Sequence, residues 1–396
     1  MPTFYNYTEN GVAYSFDDVF VPADSFREGN LFTWGNESFG GLGNNLSTGS
    51  SKKTPLTTFA GGANWKQVGG GGFSGCSVAI KTDGTLWTWS ANGQGQLGDN
   101  TVTNKLTPVT TFIGGTNWKQ VSPGAFHCAA IKTDGTLWTW GYGTSGQLGN
   151  NTVTNKSTPV TTFAGGTNWK QVAAGYKHCA AIKTDGTLWT WGDNSQGQLG
   201  DNTVTTKSTP VTTFAGGTNW KQVAAGYKHC AAIKTDGTLW NWGINAQGQL
   251  GIDNTTTRST PVTTFVGGTN WKQVGSHCVS YHTAAIKTDG TLWTWGFNNE
   301  GQLGNNTATN KSTPVTTFAG GTNWKKASCG GNGCGAIKTD GTLWTWGACN
   351  FGQLGDDTVN VPKYTPVTTF AGGNNWKQTE GAYSSRMAIK YIDSVL

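Results

Sequence analysis

Apolar and polar residues alternate along this chain in short runs that recur in a fixed order. In the copy spanning residues 168–217 these runs are KQVAAG, HCAAIK, TLWTWG and TPVTTF. Alternation over about four to eight residues is typical of β-strands, and no segment of about ten residues or more has the apolar spacing of a helix. The Asp-Gly pair between the second and third runs supplies the positive φ of a tight hairpin turn. Each copy therefore predicts four short antiparallel strands.

Two tryptophan markers count the copies, because the second Trp of W-x-W and the Trp of N-W-K each recur seven times. The first marker lies at Trp34, Trp89, Trp140, Trp191, Trp242, Trp295 and Trp346, and the second at Trp65, Trp118, Trp169, Trp220, Trp271, Trp324 and Trp376. Four strands in a unit of roughly 50 residues are typical of a propeller blade. The sequence predicts an all-β fold, a seven-bladed β-propeller of four-stranded blades over residues 31–396.

The two ends of the repeat region predict how the ring closes. The first copy begins with the return strand GNLFTWG alone, and the last copy, RMAIKYIDSVL, lacks that strand. We predict that residues 31–34 pair with residues 387–390, since closure removes exposed sheet edges. Blades must bury both faces, so we expect the Trp, Leu, Ile, Val and Phe positions to fill the interfaces between blades. Residues 1–30 carry no repeat element and form a separate segment, either a strap or a docking anchor.

Composition excludes several classes of protein. With 12% charged and 12% aromatic residues, the chain is not a charge-driven disordered protein. The sequence contains no run of about 20 apolar residues, so no membrane-spanning helix is expected. The net charge of +6 is spread thinly, without the basic cluster of a nucleic-acid binder, so no nucleic-acid partner is expected. The N-terminus has neither the basic nor the apolar region of a cleaved signal peptide, which predicts assembly in the cytoplasm.

Histidines and cysteines occupy equivalent positions in several copies, which predicts a structural role rather than a metal site. The histidines are His127, His178, His229 and His282, and a Cys or Thr follows each of them. Adjacent strand residues point to opposite faces, and packed sheets lie about 10 Å apart, so these side chains should not converge on one ion. We assign the same structural role to the repeated tryptophans Trp89, Trp140, Trp191, Trp242, Trp295 and Trp346. A disulfide between Cys329 and Cys334 stays open.

No catalytic arrangement is visible in the sequence. The repeated Asp of Thr-Asp-Gly is explained by turn chemistry. The motifs GxSxG, the phosphate-binding P-loop and GxGxxG before a helix are all missing. We therefore expect no enzymatic activity, no metal and no cofactor.

The repeated unit, ending in D-G-x-L-W-x-W-G and G-Q-L-G, resembles the repeat of the regulator of chromosome condensation family over residues 31–396. The resemblance implies a seven-bladed propeller of about 50 residues per blade. The founding member of the family is an exchange factor for a small GTPase. Here the blades are nearly identical, and the stretch KQVAAGYKHCAAIKTDGTLW occurs twice. Such uniformity favours a scaffold or multivalent binder over an asymmetric catalytic surface.

Residues 1–30 are similar to short leaders that precede such repeats in structural proteins of tailed bacteriophages. The main hypothesis is therefore a non-enzymatic virion protein, a decoration, fibre or host-contact propeller that is assembled in the host cytoplasm. It would attach to other virion proteins through its N-terminal segment. The candidate docking residues are Phe4, Tyr5, Tyr7, Tyr14, Phe16 and Phe20.

Aromatic residues in the polar loops are candidates for contact with a partner, such as a host-surface glycan or protein. They are Phe126, Tyr142, Tyr176, Tyr227, Phe297 and Phe351. Seven similar blades would multiply a weak contact by avidity. Two alternatives stay open: an intracellular interaction hub or small-GTPase regulator in the cytoplasm, and a soluble multivalent lectin.

Overall fold

The computed structural model describes residues 8–9, 12–13, 29–46, 51–72, 75–275 and 277–391. Their strands, numbered β1 to β30 in chain order, form seven four-stranded antiparallel sheets. One further pair, β1 (Thr8–Glu9) and β2 (Val12–Ala13), forms a two-stranded sheet. The predicted all-β, seven-bladed propeller is confirmed.

Six blades are each built from one continuous stretch of chain, with the first strand innermost. The innermost strands are β5 (Trp65–Gly70), β9 (Trp118–Pro123), β13 (Trp169–Ala174), β17 (Trp220–Ala225), β21 (Trp271–Gly275) and β25 (Trp324–Cys329). The second strands are β6 (Cys76–Lys81), β10 (His127–Lys132), β14 (His178–Lys183), β18 (His229–Lys234), β22 (His282–Lys287) and β26 (Gly333–Lys338). The third strands are β7 (Leu86–Ser90), β11 (Leu137–Gly141), β15 (Leu188–Gly192), β19 (Leu239–Gly243), β23 (Leu292–Gly296) and β27 (Leu343–Gly347). The outermost strands are β8 (Lys105–Thr110), β12 (Lys156–Thr161), β16 (Lys207–Thr212), β20 (Arg258–Thr263), β24 (Lys311–Thr316) and β28 (Lys363–Thr368).

The seventh blade joins the two ends of the repeat region and closes the ring. Its strands, from the inside outward, are β29 (Trp376–Gly381), β30 (Ser385–Tyr391), β3 (Gly29–Gly35) and β4 (Lys52–Thr57). In the β3–β30 pair, Leu31 lies opposite Ile389 and Trp34 opposite Arg386. The predicted closure is confirmed, and a 3-10 turn at Ser38–Gly40 follows β3.

The hairpin turn between the second and third strands explains the repeated Thr-Asp-Gly. The Asp185 carboxylate accepts hydrogen bonds from the backbone N–H and the hydroxyl of Thr187, at 2.9 and 2.7 Å. Gly186 has φ +81°, and a Cβ at this position would lie 2.0 Å from the carbonyl oxygen of Thr218. Glycine is therefore required both by the backbone conformation and by the close approach of the neighbouring connection.

Tryptophans hold neighbouring blades together. Trp191 is completely buried, and its indole N–H donates to the carbonyl of Gln147 in the preceding blade at 2.9 Å. Trp169 meets Trp189 and Trp191 in edge-on contacts, with ring centroids 6.3 Å apart in both pairs. The ammonium of Lys183 lies over the rings of Trp169 and Trp189. The aromatic and cation contacts thus join strands of one blade, and the Trp191 hydrogen bond joins that blade to the preceding one.

Glutamines tie the innermost strands into a ring around the central channel. The Gln171 side chain donates to the carbonyl of Val223 and accepts from the N–H of Val223, both at 3.0 Å. Equivalent bonds to the next blade are made by Gln67, Gln120, Gln222, Gln273 and Gln378. Lys326 occupies this position in the β25–β28 blade and donates to the carbonyl of Lys377.

The expectation that phenylalanines fill the interfaces is wrong. The outermost strand β16 ends at Thr212, so Phe214 lies beyond it and is 67% exposed. Thr213 takes the buried position after the strand, and its neighbour Phe214 consequently points the other way. The same residue is exposed in all seven blades, at Phe59, Phe112, Phe163, Phe214, Phe265, Phe318 and Phe370.

Candidate partner-binding face

Strand register gives the ring two different faces. The Thr-Asp-Gly turns and the seven exposed phenylalanines lie at one end of the blades, here called the lower face. The connections between first and second strands lie at the opposite end, the upper face. The lower turns repeat the same three residues in six blades, whereas the upper connections read GAF, GYK, GYK and SHCVSY in four successive blades. Differences between blades are therefore concentrated on the upper face.

Aromatic rings on the upper face form a continuous series, which we call the aromatic arc. Its members, in order around the ring, are Tyr142, Phe126, Tyr176, Tyr227, Tyr281 and Phe297. The successive centroids are separated by 6.2, 5.8, 4.5, 4.4 and 6.4 Å. All six side chains are partly exposed, so the arc offers apolar area together with hydroxyl groups.

Two tyrosines of the arc, Tyr176 and Tyr281, have raised pKa values. Burial raises the pKa of Tyr176, and the neighbouring Tyr227 raises it further. Burial also raises the pKa of Tyr281, and the hydrogen bond that its hydroxyl donates to Tyr227 is the next cause. The hydroxyls of Tyr176 and Tyr281 therefore stay protonated and can both donate and accept hydrogen bonds.

Lysines add positive charge beside the arc. The Lys177 ammonium lies 5.4 Å from the ring centroid of Tyr142 and 5.6 Å from that of Tyr176. A recess of about 300 Å³ is lined by Gln94, Phe126, Tyr142, Tyr176 and Lys177. Aromatic walls with a lysine at the rim suit an apolar side chain next to an acidic group.

The longest of these upper connections crosses the central channel. His277, in the connection between β21 and β22, lies 2.5 Å from the carbonyl oxygen of Gly70 on the opposite side of the ring. Cys278 and Val279 pack with Ala125 beneath the arc. The channel below holds a cavity of about 200 Å³, and four glutamines of the ring line it together with Ser328 and Glu380, among others.

The repeated histidines are fully buried and contact the neighbouring blade. His127 Nε2 lies 3.1 Å from Cys179 Sγ, and His178 Nε2 lies 3.2 Å from Cys230 Sγ. The expectation that neighbouring blades keep these side chains apart is wrong. The sheets are about 10 Å apart between backbones, and two side chains that face each other bridge that gap. Burial lowers the pKa of His178 to about 4, so its imidazole is neutral at physiological pH.

His229 and His282 extend this series to the next two interfaces. His229 Nε2 lies 3.1 Å from Thr283 Oγ1, because Thr283 stands where other copies have cysteine. The side chain of His282 is fully buried as well. All eight cysteines are buried free thiols in this structure.

The six tryptophans assigned a structural role are completely buried, and each indole N–H donates to a backbone carbonyl of the preceding blade. Their acceptors are Gly41, Gln96, Gln147, Gln198, Gln249 and Gln302. These residues therefore fix one blade against the next.

Five of the six candidate loop contacts, all except Phe351, belong to the aromatic arc. Phe351 lies apart in the β27–β28 connection, and no ring contact joins it to the arc among the described residues. Sequence reasoning missed Tyr281, although Tyr281 directly precedes His282 just as Phe126 precedes His127. The six candidate docking residues of the N-terminal segment lie outside the described residues. In the described part of the chain, no helix has the length and apolar character needed to cross a membrane.

Family models match most of the propeller. The model described as the RCC1-like domain matches residues 118–389, and that of the regulator of chromosome condensation (RCC1) repeat matches residues 83–131. The ultraviolet-B receptor UVR8 of Arabidopsis thaliana is 31% identical over 74% of this chain and 67% of its own length. The mitochondrial RCC1 domain-containing protein RUG3 of the same plant is 28% identical, over 73% of this chain and 67% of its own length. The X-linked retinitis pigmentosa GTPase regulator homolog of Caenorhabditis elegans is 27% identical over 70% of this chain but only 23% of its own.

Solved structures with the same fold have lower sequence identity. Prp20p from Saccharomyces cerevisiae, described by its binding properties to Gsp1p and histones, superimposes with a TM-score of 0.80 at 18% identity, covering 93% of each chain. Human WBSCR16 gives a TM-score of 0.77 at 20% identity, over 92% of this chain and 99% of that one. These likenesses concern the fold alone.

Proposed function

Because this chain belongs to the family of RCC1-like domains, we propose that it is a non-enzymatic interaction propeller whose upper face binds a partner protein. Its relatives include a receptor and a GTPase regulator homolog, which supports an interaction or regulatory role. The virion hypothesis receives no support from the relatives named above, so the interaction alternative takes precedence over it.

The aromatic arc is the observation that carries this proposal. Tyrosine is enriched at the centre of protein interfaces because it brings large area at a small entropic cost. The arc places four tyrosines and two phenylalanines side by side, with Lys177 at the rim. A partner segment with apolar side chains and a nearby carboxylate complements this surface.

A pair of double variants tests which face binds. Tyr176→Ala with Tyr227→Ala removes the centre of the arc, and Phe214→Ala with Phe265→Ala removes exposed rings from the lower face of the same blades. Proteins bound to each variant from the native cell are identified by quantitative proteomics, and the leading partner is then purified for calorimetry. We expect the arc variant to weaken binding at least about tenfold, as for interface hot spots. Unchanged affinity of the arc variant, with loss in the lower-face variant, would assign binding to the other face.

Regulation of a small GTPase is a more specific form of this proposal. The fold likeness to Prp20p and the relation to a GTPase regulator homolog support testing it. Purified chain is mixed with small GTPases that carry a fluorescent guanine nucleotide, and nucleotide release is followed. Acceleration that the Tyr176→Ala and Tyr227→Ala variant abolishes would identify an exchange factor. If the chain accelerates nucleotide release from none of the GTPases of the native cell, it binds a partner without acting as an exchange factor.

Virion attachment and glycan binding remain further proposals, each with its own readout. Attachment through residues 1–30 predicts enrichment of the protein in density-purified particles over the soluble fraction, and absence from particles would exclude it. A lectin would bind sugars by stacking them on the arc, so a glycan array gives the test. Binding there that Tyr227→Ala abolishes would replace the protein partner with a carbohydrate.

A further inference from the structure

The β25–β28 blade departs from the other copies at positions that meet in space. Cys329 stands at the end of its innermost strand, where β13 and β17 have alanine. Gly335 replaces an alanine of the second strand, and a Cβ there would lie 2.2 Å from the Arg386 guanidinium. These departures therefore create room and donor atoms in one sector of the ring.

Three donor side chains converge in this sector. The donor atoms of His282, Cys329 and Cys334 all lie within 4.8 Å of one another, and all three residues are buried. Cys329 and Cys334 are directly opposite on β25 and β26, with their sulfurs 2.8 Å apart. His282 reaches them from β22 of the preceding blade. The site thus lies across a blade interface.

His282 differs from the equivalent histidines in its bonding. His127 and His178 each approach the thiol of the next blade at hydrogen-bond distance. Among the described residues, no group lies in hydrogen-bond geometry to either ring nitrogen of His282, although the side chain is completely buried. A buried imidazole without a partner is unfavourable, and a ligand that accepts its lone pair removes that penalty.

We propose that His282, Cys329 and Cys334 bind a single zinc ion between these two blades. Thiolate sulfur and imidazole nitrogen are the donors that zinc prefers, at about 2.3 and 2.0 Å from the metal. Around a tetrahedral ion such donors lie roughly 3.5 to 3.8 Å apart, so shifts of about 1 Å bring all three into place. Three protein ligands leave the fourth position for water or an exchangeable ligand.

The charges of the proposed ligands balance the charge of the ion. A zinc ion with two thiolates and a neutral imidazole carries no net charge. Glu380, one of the groups whose charge acts on Arg386, accepts a hydrogen bond from Ser328 at 2.5 Å. Ser328 and Glu380 also line the cavity in the central channel.

Cobalt is the spectroscopic probe for the experiment, because it takes zinc sites and reports thiolate ligation by a charge-transfer band. The full chain is reduced, stripped with a chelator and titrated with Co²⁺ without oxygen, and Zn²⁺ is then added. We expect one Co²⁺ per chain, a thiolate-to-cobalt band, and its complete displacement by Zn²⁺. Metal analysis of the Zn²⁺-loaded protein should give one zinc per chain.

Two variants separate the proposed site from the other thiols. Cys329→Ala restores the residue that β13 and β17 carry, so the variant should fold, and it should lose the band and bind Co²⁺ at least tenfold more weakly. Cys230→Ala removes a buried thiol of another interface and should bind like the wild type. Circular dichroism checks the fold of both. Failure of the wild type to bind one ion, or unchanged binding by Cys329→Ala, would overturn the proposal.

A disulfide is the competing use of Cys329 and Cys334, and thiol counting distinguishes it. The protein is isolated without reductant, denatured, and titrated for free thiols. Eight free thiols after removal of metal agree with the zinc site, because all eight cysteines are then reduced. Six free thiols would assign the pair to a disulfide and contradict a resident metal ion.

Discussion

Replacement of Trp191 by Phe tests whether blade interfaces depend on the buried indole. Trp191 is 0% exposed, and its N–H donates to the carbonyl of Gln147 at 2.9 Å. Phe cannot make this bond, and the Gln147 carbonyl then keeps only the weak thiol donor of Cys179 at 3.6 Å, so we assign a cost of about 1–3 kcal/mol to the lost bond. A loss of about 40 Å³ of side-chain volume adds ~1 kcal/mol at roughly 24 cal/mol per Å³. The expected loss of unfolding free energy is about 2–4 kcal/mol.

Trp189, two residues earlier in the same strand, provides the matched control. Its indole N–H donates to the hydroxyl of Thr187 at 2.9 Å, and its side chain is only partly buried. Because water can replace this bond, Trp189→Phe should cost less than about 1 kcal/mol. The same chemical change thus has two different expected costs.

Urea unfolding followed by circular dichroism measures both costs. The m-values of the two variants and the wild type must agree for the free energies to be compared. Separate transitions for different blades would require fitting with more than two states. A loss for Trp189→Phe as large as that for Trp191→Phe would refute the assignment of interface stability to the buried indole.

Three further predictions follow from the same contacts. Gly186→Ala should destabilise the protein by about 1–3 kcal/mol, since the backbone of Gly186 has φ +81° and the added Cβ meets a carbonyl. Gly216 also has a positive φ but open space around it, so Gly216→Ala should cost less in the same urea assay. The pKa of buried His178 is lowered to about 4, so this histidine binds a proton more readily in the unfolded chain than in the folded one. The free energy of unfolding should therefore fall as the pH drops from about 7 to 4. His178→Gln should flatten this pH dependence, and an unchanged slope would contradict the neutral buried form. Leu31→Ala and Ile389→Ala each remove a buried side chain from the closing pair of strands and should each cost about 2–4 kcal/mol; a double-mutant cycle that shows no coupling would argue against their contact.

Much of the fold could be predicted because the same sequence pattern recurs in each blade. Strand number, hairpin turns and blade count follow from local patterns within one copy, and the incomplete first and last copies indicate the closing pair. Phe214 was misplaced because alternation does not reveal where the outermost strand ends. The contact of His127 with Cys179 was missed because it depends on the position of the next blade.

The candidate site was predictable only in part. Loop aromatics such as Tyr176 and Tyr227 stand out in polar connections, but the 4.5 Å distance between their ring centroids depends on how neighbouring blades are placed. His282 belongs to one copy of the repeat, and Cys329 and Cys334 belong to the next copy. Each copy taken alone is a small variation of the repeat. The spacing of residues within one copy therefore could not predict that these three side chains meet.

By itself the sequence determined the repeat, the four strands of each blade and the ring of seven, because hydrogen bonding in hairpins and the burial of alternate side chains are local to about 50 residues. The tertiary structure alone decided which side chains of neighbouring blades face each other. That choice depends on the rotation between blades, which brings His282 close to Cys329 and Cys334 and joins the rings of the aromatic arc. Packing between copies, rather than the pattern within them, therefore creates the surfaces and clusters that can act on other molecules.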